Sequence, residues 1–548
     1  MKSIEIPLQS EKKPRYIFFE KLPGIVTWSI IILPFVLSIF MAQVVAILII
    51  AFFLIWFVRA IGLNIRVIQG WRTMKVHEKL NWPKMLAQLE DPSRAHQRTK
   101  DLPKWHFNNL ERLKGGAVVN PKDIYHAIII ATYNESRDVL EPTIKSVLAS
   151  HYDMDKVIFV LAYEERGGDA VDKQAKELVK EYKGQFAHAI AVKHPDGLPH
   201  EVVGKGGNIT YAARELQKYL EKEKINPINV IVTTLDSDNR PHVNYLAALT
   251  YTYAVSPDPL HVSYQPVPVF TNNIWDVPAP MRVVATGNSF WNIILALRPH
   301  ALRNFSSHAQ SMAALIDTDF WSVRTIVEDG HQFWRTYFRY DGNHEVYPIF
   351  LPIYQDAVLD KSYRKTLKMQ FIQMRRWAYG ASDIAYVVEK GWFTPNKIPK
   401  ADKYMKLGRL VEGHISWATA PLILAFAAFI PAWFNPNDFA SNQLPLLASR
   451  IQTIAMGGIL ITFFLGMKAL PPRPKRYKRH RTIWMVVQWL YLPITSIVYS
   501  SFAAIYSQTR LLFGKYMEKF DVTEKAVKTD SGETVTGHAT NDKPKILG

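Results

Sequence analysis

The residues of this chain able to do chemistry sit in a few short stretches. In "NVIVTTLDSDNRP" (229–241) an apolar, β-branched run leads straight into Asp236 and Asp238. At i and i+2 of an extended chain both carboxylates project to one side. Like charges held so close need a positive partner, or one of them takes up a proton. Hard carboxylate oxygens suit Mg²⁺ or Mn²⁺, which bind one or two carboxylates together with substrate phosphates. The competing readings are an ion pair with Arg240 and a solvated acidic turn. "VVGKGGN" (202–208) sets Lys205 among glycines just before a helix, a favourable place for phosphate oxygens. It lacks the GxxxxGK[ST] spacing, which argues against a P-loop ATPase. "RTIVEDGHQFW" (324–334) puts Glu328 beside Asp329, with His331 as the only base close by. "FIQMRRWAYG" (371–380) carries Gln373, Arg376 and Trp377: a phosphate partner and a flat face for a sugar ring, or an ordinary interfacial anchor.

These stretches need elements to hold them. Between 123 and 265, β-rich runs ("DIYHAIIIAT", "KVIFVLAY", "FAHAIAVK", "VIVTTLD", "HVSYQ") alternate with helical ones ("RDVLEPTIKSVLAS", "NITYAARELQKYLEKE"). That alternation predicts a mostly parallel, Rossmann-like sheet covered on both faces. In such sheets ligands bind beyond the carboxyl ends of the strands. There the sequence places Thr132, Tyr133 and Glu135 after the first strand, and Glu164, Glu165 and Arg166 after the second. Lys205 stands before a helix, and Asp236 and Asp238 follow the next strand.

Apolar zones flank this region. Ile25 to Val58 contains no charged residue, well beyond the ~20 residues that one bilayer crossing needs. Lys12, Lys13, Arg15 and Lys21 precede it, and Arg59, Arg66, Arg72 and Lys75 follow. Basic residues favour the cytoplasmic side, so a hairpin with both ends inside is expected. The run is too long for a signal-peptide core and has no small-residue cleavage site. "HISWATAPLILAFAAFIPAWF" and "IQTIAMGGILITFFLGMKAL" each fit one span, joined by a connector without Lys or Arg and followed by "PPRPKRYKRHR". The formal net charge of +18 is the charge of cytoplasmic loops facing anionic lipid. No nucleic-acid motif accompanies it, so nucleic acid is not an expected partner. The chain has no cysteine, which excludes disulfides and thiolate metal sites.

Taken together and in order, "ATYNE", "GKGGN", "DSD", "VED" and "QMRRW" between apolar helices resemble the membrane-bound family 2 glycosyltransferases, whose best known members are cellulose and hyaluronan synthases. "FDVTEK" (520–525) matches the FxVTxK gating-loop pattern of cellulose synthases. The resemblance implies a GT-A-like α/β domain embedded between transmembrane helices, at the cytoplasmic face of the inner or plasma membrane. It implies a nucleotide-sugar donor, most simply a UDP-sugar, a saccharide or lipid-linked acceptor, and Mg²⁺ or Mn²⁺. Thr132, Tyr133 and Glu135, with Glu164 or Glu165, would line the nucleoside pocket. Lys205 would meet the diphosphate, Asp236 the nucleotide side, and Asp238 the metal. Asp329, beside Glu328, would be the general base, and Gln373, Arg376 and Trp377 would hold diphosphate and acceptor. Phe520, Val522, Thr523 and Lys525 would form the closing loop.

Two departures from the family pattern stand out: "AYEERGG" where an aspartate is usual, and "VED" for TED. No c-di-GMP-binding domain follows the gating-like motif. The expected organisation is a tail (1–22), a transmembrane hairpin (23–62), juxtamembrane helices (63–122) and the glycosyltransferase domain (123–345). Interface helices (346–410), two spans (411–470), a basic loop with an interfacial or transmembrane helix (471–513), and the gating-like loop with a disordered tail (514–548) follow. Either a processive polysaccharide synthase or a transferase adding one sugar to a lipid acceptor fits. A transporter with a nucleotide-binding domain does not, because the apolar runs hold almost no charged or strongly polar residues of the kind that line solute paths.

Overall fold

The computed structural model describes residues 4–92, 101–114, 116, 118–519, 525–528 and 534–539. Its centre is a mixed, mostly parallel sheet of eight strands: β1 (Tyr125–Thr132), β2 (Val157–Glu164), β3 (His188–His194), β4 (Val230–Asp236), β5 (Arg240–Pro241), β6 (Val262–Phe270), β7 (Ala309–Ser311) and β8 (Glu345–Gln355), in the order β3-β2-β1-β4-β7-β6-β8-β5. β1 to β4 form one parallel block, with Ala131 opposite Asp236 and Thr132 opposite Tyr163. The polar residues that follow these strands therefore leave the sheet along one edge.

The apolar runs explain the layering. Successive residues of β1 point to opposite faces. Ile128 and Ile130 pack with Leu140 and Ile144 of the helix Arg137–Leu148, whereas Ala127 and Ile129 pack with Ile209, Ala212 and Leu216 of the helix Lys205–Lys222. A strand buried on both faces reads as continuous Ile and Val, as "HAIIIAT" does.

β8 carries the sheet to Gln355, ten residues past the boundary expected at 345, in a stretch read from the sequence as interface helices. Pro348 and Pro352 hide this strand, because proline cannot donate to a ladder. β8 accommodates them with a register irregularity at Pro266/Val267 of its partner β6.

The helix Pro14–Lys79 is broken at Met41 (φ −142°, ψ 45°). Unbroken, its 66 residues would extend ~100 Å. Instead Thr27 bonds Gln508, whose amide donates to the His414 carbonyl, while Arg59 pairs with Glu412 at 2.6 Å. Residues 27 and 59 therefore sit at one level, and the helix folds back on itself. At the turn, Ser38 and Gln43 both meet the Asn435–Asp438 connector, which joins the helices ending at Phe434 and beginning at Phe439.

Four helical segments among the described residues are long and apolar enough to cross a membrane: Pro14–Lys79, Lys400–Phe434, Phe439–Ala469 and Arg481–Leu512. The last one touches the sheet domain near its start, where Arg481 donates to the Trp275 carbonyl and Gln488 accepts from Arg282. Near its end, Ser507 donates to the carbonyl of Arg375 on the helix Tyr363–Ala378. Its outer face is bare, with Leu490 79% exposed.

Candidate active site

Asp236 and Asp238, although two residues apart, are met by different cations. Asp236 Oδ1 accepts from Lys205 Nζ at 2.6 Å, and Asp238 Oδ1 accepts from Lys525 Nζ at 2.8 Å. Asp238 Oδ2 accepts the Asp356 backbone N–H at 2.9 Å, and Asn272 Nδ2 donates to the Asp238 carbonyl. The turn is thereby clamped to the end of β8. Burial works against the charge of Asp236, yet Lys205, Lys525 and Arg376 together hold its carboxyl below the usual range. Arg240 is not among the ion-pair partners of either aspartate; its charge, like that of Lys525, acts on Asp356.

Lys205 is the first residue of the helix Lys205–Lys222. Burial disfavours its charge, but Asp236, Glu328 and Asp329 more than offset this and raise its pKa. The glycines beside it serve packing. A methyl group on Gly206 would collide with the Ser322 carbonyl and crowd Glu328, and one on Gly207 would crowd Glu201. Bare backbone at these two positions lets the helix start lie flat against the segment that carries Glu328 and Asp329.

Those two acids open the helix Glu328–Arg339. Glu328 is buried, and burial followed by the Asp329 charge pushes its carboxyl up to about 8. Asp329 is also raised, chiefly by burial, while Lys205, the Gly330 N–H and Arg376 oppose the shift. Both acids are thus shifted toward their protonated forms within reach of the Lys205 charge, an arrangement typical of acid–base sites.

At the end of β1, Glu135 folds back on its own turn. It accepts from Thr132 Oγ1 at 2.8 Å and from the backbone N–H groups of Tyr133 and Asn134. Burial pulls this carboxyl upward, but Lys525 and the Tyr133 N–H hold it below the usual range. Glu164, at the end of β2, is paired with Arg166, whose guanidinium lies 4.1 Å over the Tyr133 ring. Arg166 thereby joins the "TYNE" and "AYEER" loops, a role that sequence reading did not give it. Glu165 faces outward, toward Lys193 and the Asp196 N–H.

The helix Tyr363–Ala378 carries Gln373, Arg376 and Trp377. The charge of Arg376 reaches both Asp236 and Asp329. Trp377 lies against Phe270 at the end of β6 (ring centroids 6.1 Å apart), and Gln373 accepts from Gln370. Phe520, Val522 and Thr523 lie outside the described residues. Lys525 is described and bonds Ser237 as well as Asp238. The tail, expected to be disordered, is structured where it is described: Ala526–Lys528 pairs antiparallel with Thr534–Thr536, Ala526 N–H donates to the Leu359 carbonyl, Gly537 N–H to the Lys525 carbonyl and Ala539 N–H to the Asn134 carbonyl.

Asp356 is the acid that sequence reading missed. Burial and the Asp238 charge push its carboxyl up to about 6, and its Oδ1 is buried with no hydrogen-bond partner among the described residues. Two crowded carboxylates, one already holding an ammonium and the other with an orphaned oxygen, fit a divalent cation. No group of three His, Cys, Asp or Glu among the described residues is arranged to hold a metal. A cation here would thus take two carboxylates and leave its other positions to ligand oxygens, as Mg²⁺ commonly does. Asp236, already engaged by Lys205, stands apart from that pair. No spacing rule links Asp356 to the DSD turn; only the β5–β8 pairing brings them together.

No family model and no curated protein matches the chain. Among solved structures, it is similar to a mannosyltransferase from Pyrobaculum calidifontis in complex with GDP-Man and Mn²⁺, at 14% identity over 74% of this chain and 99% of that one, with a TM-score of 0.40. It is similar to S. aureus TarS 1–349 in complex with UDP-GlcNAc at 13% identity over 77% and 98%, TM-score 0.35. It is also similar to GalNAc-T7 with UDP, GalNAc and Mn²⁺ at 11% identity over 53% and 58%, TM-score 0.33. Likeness this distant leaves the chemistry of the site to be argued from its own residues.

Proposed function

We propose that the chain is a membrane-bound, inverting glycosyltransferase with a GT-A-like domain, moving a sugar from a nucleotide sugar, a UDP-sugar first, to a growing polysaccharide at the cytoplasmic face. One observation carries this reading. Separate elements bring Lys205, Lys525 and Arg376 together with Asp236, Asp238, Asp329 and Asp356 at the carboxyl edge of the parallel strands. Cations among carboxylates suit a reaction in which a diphosphate leaves and a hydroxyl loses a proton.

In this reading Lys205 and Arg376 take the charge that develops on the departing diphosphate. A divalent cation held by Asp238 and Asp356 would add Lewis-acid neutralisation of the same group. Asp329 takes the proton of the acceptor hydroxyl as that oxygen bonds the anomeric carbon. A single displacement with one base inverts that centre. Glu328, protonated at neutral pH, keeps the pair from carrying two negative charges. Trp377 supplies the face for the acceptor sugar, and the strap beginning at Lys525 covers the donor side.

The second reading, one sugar passed to a lipid or lipid-linked acceptor, is favoured by the bare apolar face beside the helix that carries Arg376. Purified full chain given a panel of UDP- and GDP-sugars with Mg²⁺ or Mn²⁺ tests both readings. Release of nucleoside diphosphate with a lengthening saccharide supports the first, and a single sugar on lipid supports the second. Absence of release from every donor overturns both.

A further inference from the structure

We propose that the groove between the helix Tyr363–Ala378 and the chain from Phe502 to Lys515 binds a membrane lipid whose phosphate head carries net negative charge. The groove measures about 530 Å³, within the range of pockets that enclose whole small molecules. Phe371, Phe502, Ile505 and Phe513 give it apolar walls, Arg510 and Lys515 give it charge, and none of its lining residues is acidic. Phe502 is 47% and Phe513 69% exposed. Protein alone leaves these rings uncovered, and in water such a surface is costly.

Arg510 is fixed in place. Arg510 donates Nε–H to the Lys515 carbonyl at 3.0 Å and from Nη2 to the Tyr516 carbonyl at 3.1 Å. Behind them the Arg375 guanidinium lies 5.3 Å over the Tyr506 ring, and that of Arg510 lies 5.9 Å over the same ring. Two cations line this aromatic groove and Arg375 stacks on its Tyr506 wall, with no acid among the described lining residues. The complementary ligand joins an anion to a hydrocarbon chain, and guanidinium donors match phosphate oxygens in shape and charge. Basic residues at the margin of apolar helices recruit anionic lipid for the same reason. The inference rests on the membrane reading of the apolar helices, and it is independent of which sugar is transferred.

The test uses the full chain in detergent, offered dioleoyl phosphatidic acid or dioleoyl phosphatidylcholine at equal concentration, with retained lipid read by native mass spectrometry. Phosphatidic acid is expected to bind about tenfold tighter than phosphatidylcholine, and Lys515→Glu to remove that preference. Ile505→Trp, which fills the groove and leaves its charges, is expected to reduce retention of both lipids. Equal retention of the two lipids by the wild type, or unchanged preference in Lys515→Glu, overturns the proposal. Recovery of the chain in the aqueous fraction without detergent overturns the membrane reading beneath it. Neither outcome bears on nucleotide-sugar turnover, which is measured separately.

Discussion

Lys525 Nζ lies 2.8 Å from Asp238 Oδ1, although the two residues are 287 positions apart in sequence. The ammonium is bonded by Asp238, and its charge also acts on a second acid, Asp356, whose Oδ1 has no hydrogen-bond partner among the described residues. A cation reaching Asp238 therefore competes with this lysine. Lys525→Met is expected to tighten Mn²⁺ binding severalfold in the absence of donor, by removing an opposing charge pair on the order of 1 kcal/mol or more. Titration followed by Mn²⁺ paramagnetic resonance measures this directly, and weaker binding in the variant would contradict the assignment.

Asp356→Asn keeps the backbone N–H that holds Asp238 but loses the second carboxylate. The metal concentration for half-maximal turnover is expected to rise about tenfold or more. A dependence on Mg²⁺ or Mn²⁺ identical to wild type would remove Asp356 from the cation site.

Asp329→Asn is expected to lower transfer by ~10²-fold or more, the scale of a lost general base, while nucleotide binding by calorimetry stays intact. Full turnover in this variant would leave the base unassigned.

Glu328 titrates at about 8 in the fold against 4.5 for the free side chain. The protonated form is the one the fold favours, so its contribution is complete below pH 4.5 and is lost as pH rises toward 8. Across that window stability falls by up to ~1.4 kcal/mol per pH unit from this group. Melting followed by tryptophan fluorescence at pH 6, 7 and 8 should show a smaller decline in Glu328→Gln than in wild type. Parallel declines would mean that the carboxyl ionises normally.

Gly206→Ala drives a methyl into the Ser322 carbonyl. Overpacking of this kind costs ~1–3 kcal/mol, and here it also tilts Lys205 away from Asp236. Both a lower melting temperature and a lower turnover number are expected. Loss of neither would mean that the helix start shifts freely.

The parallel block was legible in the sequence because β1, β2 and β4 are continuous apolar runs ending in polar residues, the pattern imposed by burial on two faces. Lys205 and Asp236 could be singled out because each opens or follows a recognisable element, whereas Asp329 and Arg376 drew notice through the VED and QMRRW motifs of the family resemblance. Asp356 could not, since it is a lone acid in "YQDAVLD" after a strand disguised by prolines, and only sheet pairing places it beside Asp238. The "GKGG" glycines pointed toward a ligand when read alone, because sequence cannot show that Ser322 occupies the space beside Gly206. Arg166 went unassigned for the same reason: its partners, Glu164 and the Tyr133 ring, lie on two different strand ends. The last apolar helix was ambiguous because composition reports hydrocarbon affinity but not direction. Its ends contact the Trp275 and Arg375 carbonyls, pairings that composition does not encode.

The position of Lys525 also bears on biosynthesis. A ribosome translating this protein delivers Asp236, Asp238 and Asp356 long before it reaches Lys525, with all the apolar helices from 400 to 512 made in between. The Lys525–Asp238 pair can therefore close only after the apolar helices between 400 and 512 have been made, so the last cation of the cluster arrives from the far side of the membrane-length helices in sequence.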